Sequence, residues 1–147
     1  MKIDFFGKGL EKRLFTLAIA FILLSCQSSN QEKIKGDWYS FESDSTYFEL
    51  YINDTMIVLN NENYGPVGYD YEVKGDKLFV SNSVGMERVW TMEEISSESM
   101  KLTDSLESLR YLRLDLGKSF FNSLSDSISF REFLEDYATR SAVHSKK

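Results

Sequence analysis

Thr46-Tyr47-Phe48-Glu49-Leu50-Tyr51-Ile52 is the stretch that decides the fold. Thr46, Phe48, Leu50 and Ile52 share one face of an extended chain, and Tyr47, Glu49 and Tyr51 share the other. Strict period two with one apolar face is the mark of a half-buried antiparallel strand. β-branched and aromatic residues fill both faces, which favours a strand over a helix.

The same rhythm runs on either side. Candidate strands cover 38–41, 46–52, 56–60, 69–74, 77–81, 86–95, 100–103 and 109–114. They recur about every ten residues, the spacing of an all-β sandwich or barrel. In the sixth, Met86, Arg88, Trp90 and Met92 share a face opposite Glu87, Val89 and Glu93. Asn53-Asp54, Gly75-Asp76 and Ser97-Glu98 separate strand pairs at hairpin distance, and Asn and Gly tolerate the backbone of tight turns. The longest connection, Asn61 to Gly68 with Gly65-Pro66, is too short for a parallel crossover helix. The chain is therefore read as a sequential antiparallel meander. An open meander leaves two raw edges and closure removes them, so a closed eight-stranded up-and-down barrel is expected ahead of a sandwich.

After Leu116 the period changes. Ser129-Phe130-Arg131-Glu132 fits a capping box, with Ile128 and Phe133 at the staple positions. Phe130, Phe133, Leu134, Tyr137 and Ala138 then recur at helical spacing, while Glu132, Glu135, Asp136 and Arg140 lie elsewhere. The pattern predicts a C-terminal helix over 130–141 that completes the core or docks a partner protein. Residues 117–127, with Phe120, Phe121 and Leu124, read as a connector or short helix, and 142–147 as a frayed tail.

Upstream of the strands the text is different in kind. Lys2, Lys8, Lys12 and Arg13 outweigh Asp4 and Glu11, and 14–24 is apolar apart from Thr16. Such a run is too short to cross a bilayer, which takes about 20 apolar residues, and suits a secretory signal peptide. It ends at Leu23-Leu24-Ser25-Cys26, and Cys26 is the only cysteine in the chain. This tetrapeptide resembles the lipobox of bacterial lipoproteins. The resemblance implies a signal peptide over 1–25, lipidation of Cys26 with palmitate-like acyl chains, and attachment to the membrane through that anchor. Two or more chains make such attachment effectively permanent. Gln27 is not the aspartate that the family links to inner-membrane retention, so the implied address is the outer membrane of the cell envelope. Residues 26–33 are polar and read as a tether.

A second resemblance lies at the first strand. Ile34-Lys35-Gly36-Asp37-Trp38, opening an eight-stranded meander, is similar to the Gly-x-Trp motif of lipocalins and lipocalin-like lipoproteins. It covers 34–116 and the helix that follows. It implies that Gly36 begins strand one, that Trp38 closes one end of the barrel, and that a late-strand arginine packs on the indole, with Arg113 ahead of Arg110. Stacking of that kind has a physical basis in cation–π attraction and shared planarity. The family's second motif, Thr-Asp-Tyr, has no counterpart; Thr103-Asp104-Ser105 is the nearest text.

Composition bounds the function. Apolar residues make up 42% and aromatics 14%, enough for a real core. Net charge is −6, and four of the basic and two of the acidic residues precede Cys26, so the remainder is more acidic still. An acidic domain repels phosphate backbones, which argues against nucleic acid as a partner. No catalytic residues are assigned. The single histidine, His144, sits near the C-terminus with nothing evident to hold it, and no thiol other than Cys26 exists for nucleophilic or metal chemistry. Glu93-Glu94 and Glu135-Asp136 are adjacent and so point apart. The acids of 70–72 lack the ligand ladder of a calcium loop, and neither metal nor cofactor is expected. What remains is an apolar wall: Phe41, Phe48, Tyr69, Tyr71, Phe79, Met86, Trp90 and Met92 are the inward candidates, and Phe48, Tyr69, Tyr71, Phe79, Trp90 and Met92 the expected cavity lining. Two readings stand: a barrel that binds a small hydrophobic ligand, and a packed barrel serving as an accessory subunit for an envelope protein partner. Eight strands leave an interior that side chains fill or that holds one small ligand.

Overall fold

The computed structural model describes residues 29–144. A short helix α1 (Asn30–Ile34) leads into eight strands: β1 (Gly36–Phe41), β2 (Tyr47–Ile52), β3 (Met56–Asn61), β4 (Gly65–Lys74), β5 (Lys77–Ser81), β6 (Glu87–Glu93), β7 (Ser99–Thr103) and β8 (Ser108–Arg113). Helices α2 (Phe120–Ser123) and α3 (Ser127–His144) follow. Every strand pairs antiparallel with its sequence neighbours, and β8 returns to β1, closing the barrel. This is a lipocalin-like architecture: an eight-stranded antiparallel barrel with C-terminal helices.

The closing seam is short. Trp38 pairs with Arg113 and Tyr39 with Leu112. It is reinforced by Leu114 N–H donating to the Asp37 carbonyl at 2.9 Å and by Ser40 Oγ–H donating to the Arg110 carbonyl at 2.7 Å.

The inward faces build one core from Trp38, Phe48, Leu50, Ile52, Ile57, Leu78, Trp90, Met92, Met100, Leu102 and Tyr111, with Ile34 of α1 below them. Both turns of phase in β2 are buried, however. Phe48, Leu50 and Ile52 enter the barrel, while Tyr47, Glu49 and Tyr51 are covered from outside by α2 and α3. There Tyr51 stacks on Phe120 at 4.7 Å and meets Phe133 edge-on at 5.5 Å.

Several expectations need correction. Phe79 points outward and is exposed, with Lys74 over its ring, because Leu78 and Val80 take the inward phase of β5. Phe41 is likewise outside, beside Tyr39 and Tyr47. β4 begins at Gly65, so Pro66 lies within a strand. It sits where β4 pairs with β3 alone, an edge-like place that tolerates a missing N–H. The polar stretch 26–33 is helical from Asn30, capped by Ser29 and anchored by Asn30 Nδ2 donating to the Gly75 carbonyl at 2.8 Å. α3 starts at Ser127 because the Asp126 carboxylate accepts from the Ile128 and Ser129 amides at 3.0 and 2.8 Å, so Asp126 holds the role given to Ser129. α3 also runs to His144, with no frayed segment at 142–144. The signal segment, Cys26 and residues 145–147 lie outside the described residues.

Candidate functional site

The two ends of the barrel differ, and the difference begins in the first strand. Gly36 has φ +115°, a backbone that L side chains rarely adopt, and a Cβ there would collide with the Arg113 guanidinium. That guanidinium lies 3.7 Å from the Trp38 ring centre and donates to the carbonyls of Lys35 at 2.8 Å and Ser97 at 2.9 Å. The Trp38 indole N–H donates to the Ile34 carbonyl at 2.7 Å, so the fully buried ring is fixed by α1 from below. Tyr71 also belongs to this end, its hydroxyl donating to the Asn53 carbonyl at 2.6 Å. Gly36, Trp38 and Arg113 thus form a plug, with no space for a ligand between them.

The opposite end is open. A cavity of about 110 Å³ lies there, walled by Leu50, Ile57, Leu59, Leu78, Val80 and Leu102, with Tyr69, Trp90, Tyr111, Met86 and Arg88 toward the mouth. Of the expected lining residues, Tyr69 and Trp90 reach this space. Phe48 is inward but packs edge-on against Tyr111 at 5.8 Å, and Met92 is buried in the core. Tyr71 lies at the closed end and Phe79 outside. Leu50, Leu78 and Leu102 also line the cavity, aliphatic residues that a pattern of aromatics and methionines does not mark, as does Tyr111 of β8, a strand whose alternation in the sequence assigns no inward face.

Arg88 is the polar feature of the mouth. It lies 3.9 Å from the Trp90 ring centre, donates through Nε to Asp104 at 2.5 Å and through Nη2 to Glu107 at 2.7 Å. The Asp104 side chain is only 9% exposed, and its bond from Arg88, with backbone amides of Leu106 and Glu107, holds its pKa down at about 2. Its carboxylate is therefore ionised throughout the physiological range. Tyr111 is 4% exposed. Burial, and then the nearby Glu107 charge, raise its pKa well above the ordinary phenol value.

A second polar cluster sits outside the barrel. Glu49 is completely buried and accepts from the hydroxyls of Tyr47 and Tyr51, each at 2.5 Å, and from Arg140 at 2.6 and 2.9 Å. Burial alone would lower the Arg140 pKa; the bonds to Glu49 outweigh it and hold Arg140 above the ordinary arginine value. Asp37 is beside this cluster, its pKa raised to about 6 by burial and then by the Glu49 charge. Its environment resists a second negative charge, while Arg113 and Arg140 partly offset it. His144 is held after all, stacked on Tyr47 at 5.0 Å and on Tyr39 at 5.2 Å. Every carboxylate oxygen of Glu49 is already bonded, so the cluster is a clasp between α3 and β2 with no open position for a substrate. Among the described residues no three His, Cys, Asp or Glu side chains gather as a metal site.

Comparison with known proteins adds little to this geometry. No family model matches the chain, and no curated protein matches it. A solved lipocalin-like protein from Bacteroides uniformis is similar over 56% of this chain and 99% of its own length, at 12% identity and a TM-score of 0.42.

Proposed function

We propose that the barrel binds a small apolar molecule at its open end, without catalysis, while anchored to the cell envelope through Cys26. The observation that carries the binding half is the cavity of about 110 Å³ beside Trp90, walled mostly by apolar side chains. The space is smaller than an engineered apolar cavity of roughly 150 Å³ that binds benzene, so the reading takes nothing larger than a single ring or a short branched chain, held partly in the open mouth. Titration with benzyl alcohol, followed by Trp90 fluorescence, is expected to give a saturable change with roughly millimolar affinity, given the few atoms in contact. The change should be lost in Trp90→Phe, where only Trp38 emits. A flat titration would overturn the binding reading.

The anchor rests on the lipobox-like Leu23-Leu24-Ser25-Cys26. Metabolic labelling with fatty acid should mark the wild-type chain, and Cys26→Ser should abolish the label and leave a longer precursor. Label that persists in Cys26→Ser would show the anchor assignment to be wrong.

A second reading, an accessory subunit of an envelope assembly, is favoured by the tips of the mouth turns. Tyr64, Val84 and Leu106 are 83%, 86% and 86% exposed at three successive hairpins of the open end. Their counterparts at the closed end are polar, as in Asn53-Asp54-Thr55 and Gly75-Asp76. Crosslinking in native membranes that recovers only monomer would remove this alternative.

A further inference from the structure

Two strands overhang their neighbours at the mouth. β4 runs from Gly65, but its pairing with β5 begins only at Asp70, so 65–69 has no strand partner on that side. β6 runs from Glu87, but its pairing with β7 begins only at Thr91, so 87–90 has none there. An unpaired strand edge is a template for another chain, and proteins ordinarily blunt it with proline, lysine or a covering loop. The β4 overhang is blunted, since Pro66 removes a donor and Gly65 and Gly68 offer no side chain to pack. The β6 overhang, Glu87-Arg88-Val89-Trp90, contains no proline, glycine or lysine.

Two hydrogen bonds fix the direction of its main chain. Asn82 N–H donates to the Met86 carbonyl at 3.1 Å, and Met92 N–H donates to the Asp76 carbonyl at 2.7 Å, both on the β5 side. Main-chain groups alternate sides along a strand. Arg88 and Trp90 therefore also face β5, while Glu87 and Val89 aim their N–H and C=O groups at the place a longer β7 would fill. Among the described residues, no strand or turn bonds to them there. In that place lies a groove of about 670 Å³, with residues 87–91 on one bank and 103–106 on the other. Val89 is 46% exposed on the first bank and Leu106 86% exposed on the second. The charged side chains lining the groove balance, Lys77 and Arg88 against Glu87 and Asp104, and Arg88 is already bonded to Asp104 and Glu107. The groove thus offers main-chain donors and acceptors, apolar side chains and no net charge.

We infer that the β6 edge at 87–90 is a docking site for an extended, uncharged segment of a partner protein, which joins the barrel as an added strand by pairing its main chain with Glu87 and Val89. The inference goes beyond ligand binding in the cavity and does not depend on it. In strand addition the main-chain bonds supply affinity, and pockets for alternate side chains supply selectivity; Val89 and Leu106 select apolar side chains at alternate positions. A second copy of this chain has only its own overhangs to offer, and these are held in a barrel wall rather than free to enter a groove. Because the lining charges balance, binding should depend little on salt.

The test uses the full chain and the capped peptide acetyl-Thr-Val-Thr-Val-Thr-amide, with amide hydrogen exchange followed by NMR. At millimolar peptide the Glu87 and Val89 amides are expected to slow at least about tenfold, with those of Arg88 and Trp90 unchanged. The fully N-methylated peptide, which has no N–H to give, should slow neither. Val89→Pro removes an edge donor without touching the bonds to β5, and should weaken the peptide about fivefold or more. Leu106→Ser should weaken it about threefold, and Tyr64→Ser, at another hairpin tip, should leave it unchanged. Should Val89→Pro fail to fold, the N-methylated peptide and Leu106→Ser still decide. Unaltered exchange at Glu87 and Val89 would overturn the inference, as would equal protection by the N-methylated peptide. Glu87 and Val89 amides that are slow in the free chain and quicken on dilution would assign the edge to a second copy, and overturn the partner. Benzyl alcohol binding is read separately at Trp90, so failure of the docking site leaves the cavity reading standing, and the reverse.

Discussion

Glu49 is the residue whose role the sequence hid most completely. A glutamate in an alternating strand normally marks the solvent face, and the tyrosines on either side carry hydroxyls that suit the same place. Here that face is covered, and the carboxylate is satisfied by two phenols and a paired guanidinium. The signal that could have found it was the Tyr-x-Glu-x-Tyr spacing together with Arg140, set apart from the apolar face on the sequence although it stands seven residues from Phe133 and three from Tyr137. Removing one partner of a buried pair leaves the other unpaired, so Arg140→Ala and Glu49→Ala should each cost about 3–5 kcal/mol in denaturant unfolding. Replacing both with apolar residues of similar volume, Glu49→Leu with Arg140→Met, should cost much less than the two single changes added together. Asp37 carries a pH consequence. Its folded pKa of about 6 lies above its ordinary value of 3.8, so the native state binds the proton more tightly than the unfolded chain. Its contribution to stability is thus gained as pH falls through 6 and lost as pH rises. Asp37→Asn should stabilise the protein by roughly 1 kcal/mol at pH 7.5, after allowance for solvent screening, and by little at pH 4.5. Urea unfolding at the two pH values checks it.

At the scale of elements, the strands were readable where one phase was apolar and the other polar, as in β2 and β6. β5 was not, because Leu78, Phe79 and Val80 are all apolar and five residues give no independent phase. Pairing with Trp90, set by the register with β6, turns Leu78 inward and leaves Phe79 outside. The helix was readable from its periodicity, while its start was displaced by a competing cap three residues upstream. Asp126 accepts from two backbone amides and also from Ser129 Oγ at 2.8 Å, which engages the very hydroxyl that a Ser129 cap would use. Asp126→Ala should therefore cost about 1 kcal/mol of stability, and Ser129→Ala distinctly less. Thermal melts of the two variants would separate them, and equal losses would return the cap to Ser129. The Gly36–Trp38–Arg113 plug was expected only from the resemblance of Gly36-Asp37-Trp38 to the lipocalin motif, and the structure gives each part its steric reason: a backbone glycine adopts easily, a ring that fills the end, and a flat cation that lies on it.

The whole molecule has a rigid side and a loose side. On β1–β3 the wall is backed by α2, α3 and the Glu49 clasp, while β6 faces β7 across only three paired positions. Native-state hydrogen exchange should find the amides of β2 and β3 among the slowest and, within residues 87–90, which pair with β5 alone, those that do not face β5 far faster; equal protection would contradict the short β6–β7 pairing. The closed barrel was legible as a whole because a meander of eight short strands leaves edges that only closure removes. The cavity was not, since its volume depends on how side chains from seven strands interlock. The Glu49 clasp also has a bearing on the order in which the chain is made. Glu49 emerges 91 residues before Arg140, so during synthesis its carboxylate waits beside a sheet that no helix yet covers. The barrel strands are all available well before that, but burial of β2's outer face is completed only by the final turns of the chain. A product shortened by even one helical turn short of Arg140 would hold an unneutralised charge in a place built to be dry. Such a chain would be marked out as defective by its own looseness, open to the proteases that remove unfinished protein.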